Sequence, residues 1–287
     1  MPPAPCLYLV ATPIGNLEDI TFRAVRILRD DVALIACEDT RQTHKLLDHY
    51  EIRRPLVSYH EHNESARTVE ILAALERGES VALVSDAGTP LVSDPGYRVV
   101  TAAIEKGFRV VPVPGASAVL SALAASGLPT HEFRFIGFFP PKAGARRKLM
   151  EALARESETV VVYESPHRIH DTLSEMSRVF GERPIVLARE LTKIHEEFLR
   201  GSAQSILDEL NRRGQVKGEI TLVIGHATEH EANIEDPVQE IARLKKEGGL
   251  AHMEAIKAVA KRLGLPKREV YRLAAEQGSN LPDKHRD

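Results

Sequence analysis

The sequence predicts an α/β protein built from two α/β domains, residues 1–114 and 115–226, followed by a small helical extension over 236–280. Three observations carry that prediction. Short β-branched runs alternate with amphipathic stretches through the first third of the chain, the rhythm changes after Val113-Pro114-Gly115, and the tail is helix-forming throughout.

The elements follow in order. CLYLVAT (6–12), VALIAC (32–37), PLVSY (55–59), VALVSD (81–86) and RVVPV (109–113) read as strands. Between them EDITFRAVRILRD, TRQTHKLLDHY, ESARTVEILAALERG and GYRVVTAAIEKG repeat apolar residues at three- and four-residue spacing, as helices covering a sheet do. Nearly uniform apolar strands with helical crossovers predict a largely parallel sheet buried on both faces. Pro114 and Gly115 then end a strand and set up a helix, ASAVLSALAAS. FRFIGFF (133–139), a basic loop PPKAGARRK, and strands at TVVVYES, PIVLARE, EEFLRG and EITLVIG suit a mixed second sheet. The acidic stretch HATEHEANIEDP reads as a linker. Beyond it AIKAVAKRLGLPKREVYRLA places a turn at Gly264 and Pro266 between two helices, the spacing of a helix-turn-helix and equally of a plain αα-hairpin.

Composition sets outer limits. With 43% hydrophobic and 28% charged residues and a net charge of -3, the chain is ordinary globular protein, which excludes collagen-like and largely disordered classes. Cys6 and Cys37 lack the short spacing of a zinc or redox pair, so a reducing cytoplasm is expected. The N-terminus has no basic leader, and its apolar run is about six residues against the roughly 18 that cross a bilayer, so neither export nor membrane insertion is expected. The absence of Trp disfavours a wide stacking platform for single strands. No G-x-G-x-x-G follows a strand and no G-x-x-x-x-G-K-[ST] occurs, which removes the usual dinucleotide and P-loop readings.

Two loops suit a ligand. SDAGTPLVSDPGY (85–97) follows a predicted parallel strand, where such sheets bind ligands; its glycines admit close approach, and Asp86 can accept from ribose hydroxyls or an amine. The same composition also makes ordinary turns. In VPVPGASA, Ala116, Ser117 and Ala118 open a helix whose free N–H groups can hold an anion. YHEHNE offers His60, His62 and Glu64, but no companion cluster has zinc spacing, so no metal is expected.

LVATPIGNLEDIT, CEDTR, SDAGTPLVSDPG, VPGASA, YESPHRI and GEITLVI, in this order, resemble the tetrapyrrole-methylase-like S-adenosylmethionine (SAM) methyltransferases. CEDTR and YESPHRI together narrow the resemblance to the branch that methylates a cytidine 2′-hydroxyl in the decoding region of 16S ribosomal RNA. It spans about residues 6–225. The first loop departs from the superfamily's Gly-rich form, reading Thr12-Pro13-Ile14-Gly15-Asn16.

The resemblance implies two domains with SAM in the crevice between them, a homodimer, and 16S rRNA or the 30S subunit as partner. It implies SAM contacts from Pro13, from Asp86, Ala87, Gly88, Leu91 and Ser93, from Pro114, Ala116, Ser117 and Ala118, and from Tyr163, Glu219, Ile220 and Thr221. The acceptor side is expected at two strand ends carrying carboxylate and cation together, Asp39 with Arg41 and Glu164 with Arg168, and at Lys193. Asp39 also suits a helix N-cap, Glu164 and Arg168 a structural salt bridge, and Lys193 a solvated lysine. Lys142, Arg146, Arg147 and Lys148 give +4, residues 257–272, with Lys267 and Arg268, give +5, and the remainder carries -12. Such clusters suit RNA phosphates, so the near-neutral total hides two basic patches on an acidic body. A tetrapyrrole methyltransferase and a non-catalytic RNA-binding factor remain open alternatives at this point.

Overall fold

The computed structural model describes residues 4–154, 156–226, 238, 241–242, 244–245, 250–262 and 266–278. The chain divides into two compact units, Met1–His226 and Ala227–Asp287. Among the described residues no helix is long and apolar enough to cross a membrane.

The first half forms β1 (Cys6–Val10), β2 (Leu34–Cys37), β3 (Leu56–Ser58), β4 (Val81–Val84) and β5 (Arg109–Val113), all parallel, in the order β3-β2-β4-β1-β5. Helices α1 (Phe22–Arg26), α2 (Thr40–His49), α3 (Glu64–Glu76) and α4 (Tyr97–Glu105) cross between them. The stretch predicted as one helix over 18–30 is divided: a 3-10 turn at Leu17–Asp19, then α1, started by Thr21 Oγ1 accepting from the Ala24 amide and running into a π turn at Ile27–Asp31. Apolar clusters lie on both faces of this sheet, one around Leu28, Ile35 and Val84, the other around Leu7, Ile71 and Leu83. Burial on both faces explains why β4 is apolar at every position.

The second half forms β6 (Phe133–Phe138), β7 (Thr159–Glu164), β8 (Ile185–Arg189), β9 (Glu197–Gly201) and β10 (Ile220–Ile224), in the order β6-β7-β10-β8-β9. Only the β6–β7 pair is parallel. One face packs on α6 (Ala143–Leu153), α7 (Ile169–Phe180) and α8 (Ala203–Arg213); the other packs on α5 (Ala118–Ser126). Ile14, from the loop after β1, sits in this last cluster and ties the two sheets together. Fully burying side chains such as Leu173 and Met176 contributes about 1.5–3 kcal/mol each.

Residues 143–148 of the expected basic loop are the first turns of α6, because Ala, Arg and Lys are strong helix formers and outweigh the single Gly144. A bulge between Phe135 and Phe138 on β6, with Gly137 at φ +69°, shifts the end of that strand. In the second unit α9 (His252–Arg262) and α10 (Lys267–Gly278) pack through Ala255, Ile256, Val259, Ala260 and Val270. Gly264 and residues 227–237 of the linker lie outside the described residues.

Candidate active site

The carboxyl ends of β1 and β4 are joined by a two-bond bridge. Thr12 N donates to Gly88 O at 2.9 Å and Gly88 N to Thr12 O at 3.0 Å. Thr12 Oγ1 donates to Ser85 O at 3.0 Å, and Ser85 Oγ to Gly88 O at 2.8 Å, so both hydroxyls at this corner are paired with the backbone. Gly88 has φ +83°, and a Cβ there would stand 3.3 Å from Ile14 Cγ2, so glycine lets the two loops close on each other.

Backbone strain concentrates beside this corner. Of the five described non-glycine residues at positive φ, Leu91 (71°) and Ser93 (69°) lie in the loop after β4, and Glu190 (52°) and Thr192 (65°) in the loop after β8. Such residues cost of order 1–3 kcal/mol each and cluster where a site must be held in shape.

The two loops border adjoining cavities. The first, of about 350 Å³, has an apolar wall that includes Ile14, Val92, Phe138 and Tyr163, with polar groups from Asp86, Ser93, Asp94, Ser117, Glu219 and Thr221. Tyr163 stands edge-on to Phe135 at 5.0 Å and lies 5.4 Å from Phe138, and burial with the Asp94 and Glu219 charges pushes its hydroxyl up to about 12. The second, of about 510 Å³, is lined by residues including Thr12, Pro13, Gly15, Gln42, Thr43, Lys45 and Lys193. Ile14, Asp86, Ala87 and Glu219 belong to both walls.

Ten of the expected SAM contacts meet in the first cavity: Asp86, Ala87, Gly88 and Ser93; Ser117 and Ala118; Tyr163, Glu219, Ile220 and Thr221. Pro13 lines the second cavity instead. Leu91, Pro114 and Ala116 line neither: Leu91 packs against the core of the first sheet, Pro114 is exposed, and Ala116 presents its carbonyl to Thr89 Oγ1 at 3.4 Å. Ser117 caps α5 by accepting from the Leu120 amide.

The acceptor-side residues divide. Lys193 reaches Glu190 Oε1 at 2.8 Å and Glu219 Oε2 at 3.2 Å, and its stem lies so close over Gly15 that a Cβ there would be 2.4 Å from Lys193 Cγ. Burial works against its charge, but the bonds and charges of Glu190 and Glu219 outweigh it and hold the ammonium pKa above its ordinary value. Asp39 and Arg41 line neither cavity. Asp39 caps α2 through the Arg41 amide and pairs with the exposed Arg41 guanidinium, whose hydrogen bonds hold the carboxyl down at about 2. The Asp39 amide donates to Asp86 Oδ1 at 3.0 Å, which links this loop to the cavity wall through its backbone.

Glu164 borders the first cavity with a fully buried side chain that accepts from Arg168 at 2.6 Å, Thr172 Oγ1 at 2.7 Å and the Ser165 amide at 2.7 Å. It holds the corner between β7 and α7. Arg146 is corrected: it lies on the buried face of α6 in a two-pronged pair with Glu175, 2.7 and 3.0 Å, and cannot meet a phosphate. Lys142, Arg147, Lys148, Lys267 and Arg268 are exposed. His60 and Glu64 are structural: Asn63 bonds the backbone and ring of His60, and Glu64 accepts from the Tyr59 hydroxyl and the Gly96 amide.

Asp94 escaped the sequence reading, although it lies within SDAGTPLVSDPG. It lines the first cavity, and burial with the Glu38 and Asp86 charges raises its carboxyl to about 6. The signal available was a second Asp in the same Gly/Pro loop. Phe138 was missed because a bulge, invisible as a pattern, aims it at the cavity.

Comparison with known proteins places this architecture. The sequence model of the Tetrapyrrole (Corrin/Porphyrin) Methylases matches residues 6–207. The Ribosomal RNA small subunit methyltransferase I of Halalkalibacterium halodurans is 47% identical over 93% of this chain and 93% of its own. The protein of the same name from Mesorhizobium japonicum is 48% identical over 96% and 93%, and that from Bacillus subtilis 46% over 92% of each. Among solved structures, cobalt precorrin-4 methyltransferase aligns with a TM-score of 0.58 at 16% identity over 76% of this chain and 94% of its own. Uroporphyrin-III C-methyl transferase from Thermus thermophilus, complexed with S-adenyl homocysteine, gives 0.52 at 20% over 77% and 98%. These distant structures share the fold, whereas the near-full-length sequence matches are far closer. The chain belongs to the tetrapyrrole (corrin/porphyrin) methylase family, alongside the small-subunit ribosomal RNA methyltransferase I proteins.

Proposed function

We propose that the protein transfers a methyl group from SAM to the 2′-hydroxyl of a cytidine in 16S ribosomal RNA, working in the cytoplasm as a homodimer on the RNA or the 30S subunit. The observation that carries this reading is the set of near-full-length relatives at 46–48% identity, each named a ribosomal RNA small subunit methyltransferase I. Phe22 and Ile194, each 97% exposed, are apolar side chains that a second copy would cover.

The first cavity fits the cofactor, being of a size and mixed lining suited to a nucleoside-like ligand. Asp86, held by the Asp39 amide, offers a carboxylate to ribose hydroxyls or an ammonium, while Ile14, Phe138 and Tyr163 keep water from the apolar side. SAM supplies the methyl group on a positively charged sulfur, a good leaving group. The second cavity takes the acceptor nucleotide, where the Lys45 ammonium, bonded to the neutral Gln42 side chain, is available to a phosphate. Lys193 stays protonated, so it donates a hydrogen bond and does not take the hydroxyl proton. Alignment contributes roughly 7–11 kcal/mol and proton removal 10²–10⁴-fold, so holding the two ligands across the shared wall is the larger part of the catalysis.

Lys142 just before α6, Arg147 and Lys148 on it, and Lys267 and Arg268 at the start of α10 provide further phosphate contacts. The test is incubation with labelled SAM and, separately, 30S subunits lacking the modification, naked 16S RNA and uroporphyrinogen. Label in RNA ribose is expected; label in the tetrapyrrole alone, or in no acceptor, would refute the reading.

A further inference from the structure

We infer that the outward face of α10 holds an unpaired base of the RNA: Tyr271 stacks on the base while Lys267 and Arg268 hold the neighbouring phosphates. The inference rests on the RNA-methylating reading above and adds a base contact to the phosphate contacts already given to this helix.

Helical spacing builds the face. Val270 is fully buried in the cluster with Ile256, Val259 and Ala260 of α9, which fixes the side of α10 that looks inward. With 3.6 residues per turn, Tyr271 lies about 40° around the axis from Lys267 and about 60° from Arg268, between the two, whereas the acid of this turn, Glu269, lies about 160° away. Tyr271 is 53% exposed, and Lys267, Arg268 and Arg272 are exposed with it. An aromatic ring is thus presented to solvent between two cations, with the acid turned aside.

These cations differ from many on the first unit. Arg26, Arg41, Arg53, Arg77 and Lys106 are exposed but each is paired with a carboxylate. Among the described residues no carboxylate pairs with Lys267 or Arg268, so their charge is left for an outside anion.

The ring decides which form of RNA fits. A base offers its π-face to an aromatic side chain only when it is unstacked, and the major groove of an RNA duplex is too deep and narrow for side chains to read. The helix-turn-helix spacing of this tail would set the same turn of α10 in a duplex groove, where Tyr271 would meet base edges and no base face. A single tyrosine provides one stack and not a platform, in keeping with a chain that has no Trp.

The test uses the full chain and two probes: a short oligocytidylate carrying one pyrrolocytidine, whose fluorescence falls when its base stacks, and the same strand annealed to its complement. Binding of each is measured against salt for wild type, Tyr271→Ala, Tyr271→Phe and Lys267→Gln, with S-adenosylhomocysteine affinity followed alongside. Tyr271→Ala should bind the single strand about 5- to 150-fold more weakly and quench it less, at an unchanged slope of log affinity against log salt. Because an unfolded tail would lose its phosphate contacts too, the unchanged slope separates lost stacking from lost structure. Tyr271→Phe, which keeps the ring, should bind as wild type does, and Lys267→Gln should lower the slope by about 0.7. Wild-type affinity in Tyr271→Ala, an equal loss on the annealed duplex, or a slope that falls when the ring is removed overturns the proposal while the methylase reading stands. Wild type that stacks the base through Tyr271 yet methylates no RNA refutes that reading and leaves this contact in place.

Discussion

Two residues show how the crevice trades stability for function. The Asp94 pKa is raised above the unfolded value, so the folded chain binds more protons there than the unfolded one between about pH 4 and 6. Its penalty is absent below that window and full above it. Asp94→Asn should therefore raise the unfolding free energy at pH 8 by up to about 3 kcal/mol and barely change it at pH 4, as denaturant titrations at the two pH values would show. Gly15 makes room for the Lys193 stem. Gly15→Ala should cut methyl transfer about tenfold or more with S-adenosylhomocysteine affinity nearly unchanged, because it displaces a side chain of the second cavity and not the first; isothermal titration beside a rate assay separates the two. At this scale the sequence identified residue types better than roles. Asp39 and Glu164 look alike as strand-end carboxylates, and only their partners distinguish a helix cap from a buried anchor.

Among the elements, the parallel strands and their helices were legible because burial on both faces writes an unbroken apolar run into β4. The exact ends were less so: β1 stops at Val10, and Thr12 turns aside to bridge Gly88. Helix α6 is the instructive case. Its arginines are adjacent in sequence but about 100° apart around the helix, which sends Arg146 inward to Glu175 and leaves Arg147 in solvent beside Glu151. Arg146→Ala should cost about 3 kcal/mol in thermal or denaturant unfolding, since it strands a partly buried Glu175, and should leave the salt dependence of RNA binding unchanged. Arg147→Ala and Lys148→Ala should each lower the slope of log affinity against log salt by about 0.7–0.9 with little loss of stability. Equal slopes in all three variants would remove α6 from the RNA-binding surface.

For the whole molecule, two sheets of different construction, joined through Ile14, hold two strained loops face to face. The sequence showed the change of rhythm at Pro114-Gly115 and most of the residues that line the first cavity; the convergence of residues about 130 apart, such as Asp86 with Glu219, exists only after folding. The net charge of -3 conceals both the exposed cations Arg147 and Lys148 of α6 and a cavity wall that holds Asp86, Asp94, Glu164 and Glu219, charges suited to a large anion and to a cationic cofactor respectively. The most direct test of the central claim is mass spectrometry of nucleosides digested from 16S RNA after unmodified 30S subunits are incubated with the protein and SAM. The account predicts new 2′-O-methylcytidine that disappears when SAM is omitted. Methyl groups on a base, or RNA left unmethylated by a folded protein that binds S-adenosylhomocysteine, would contradict it.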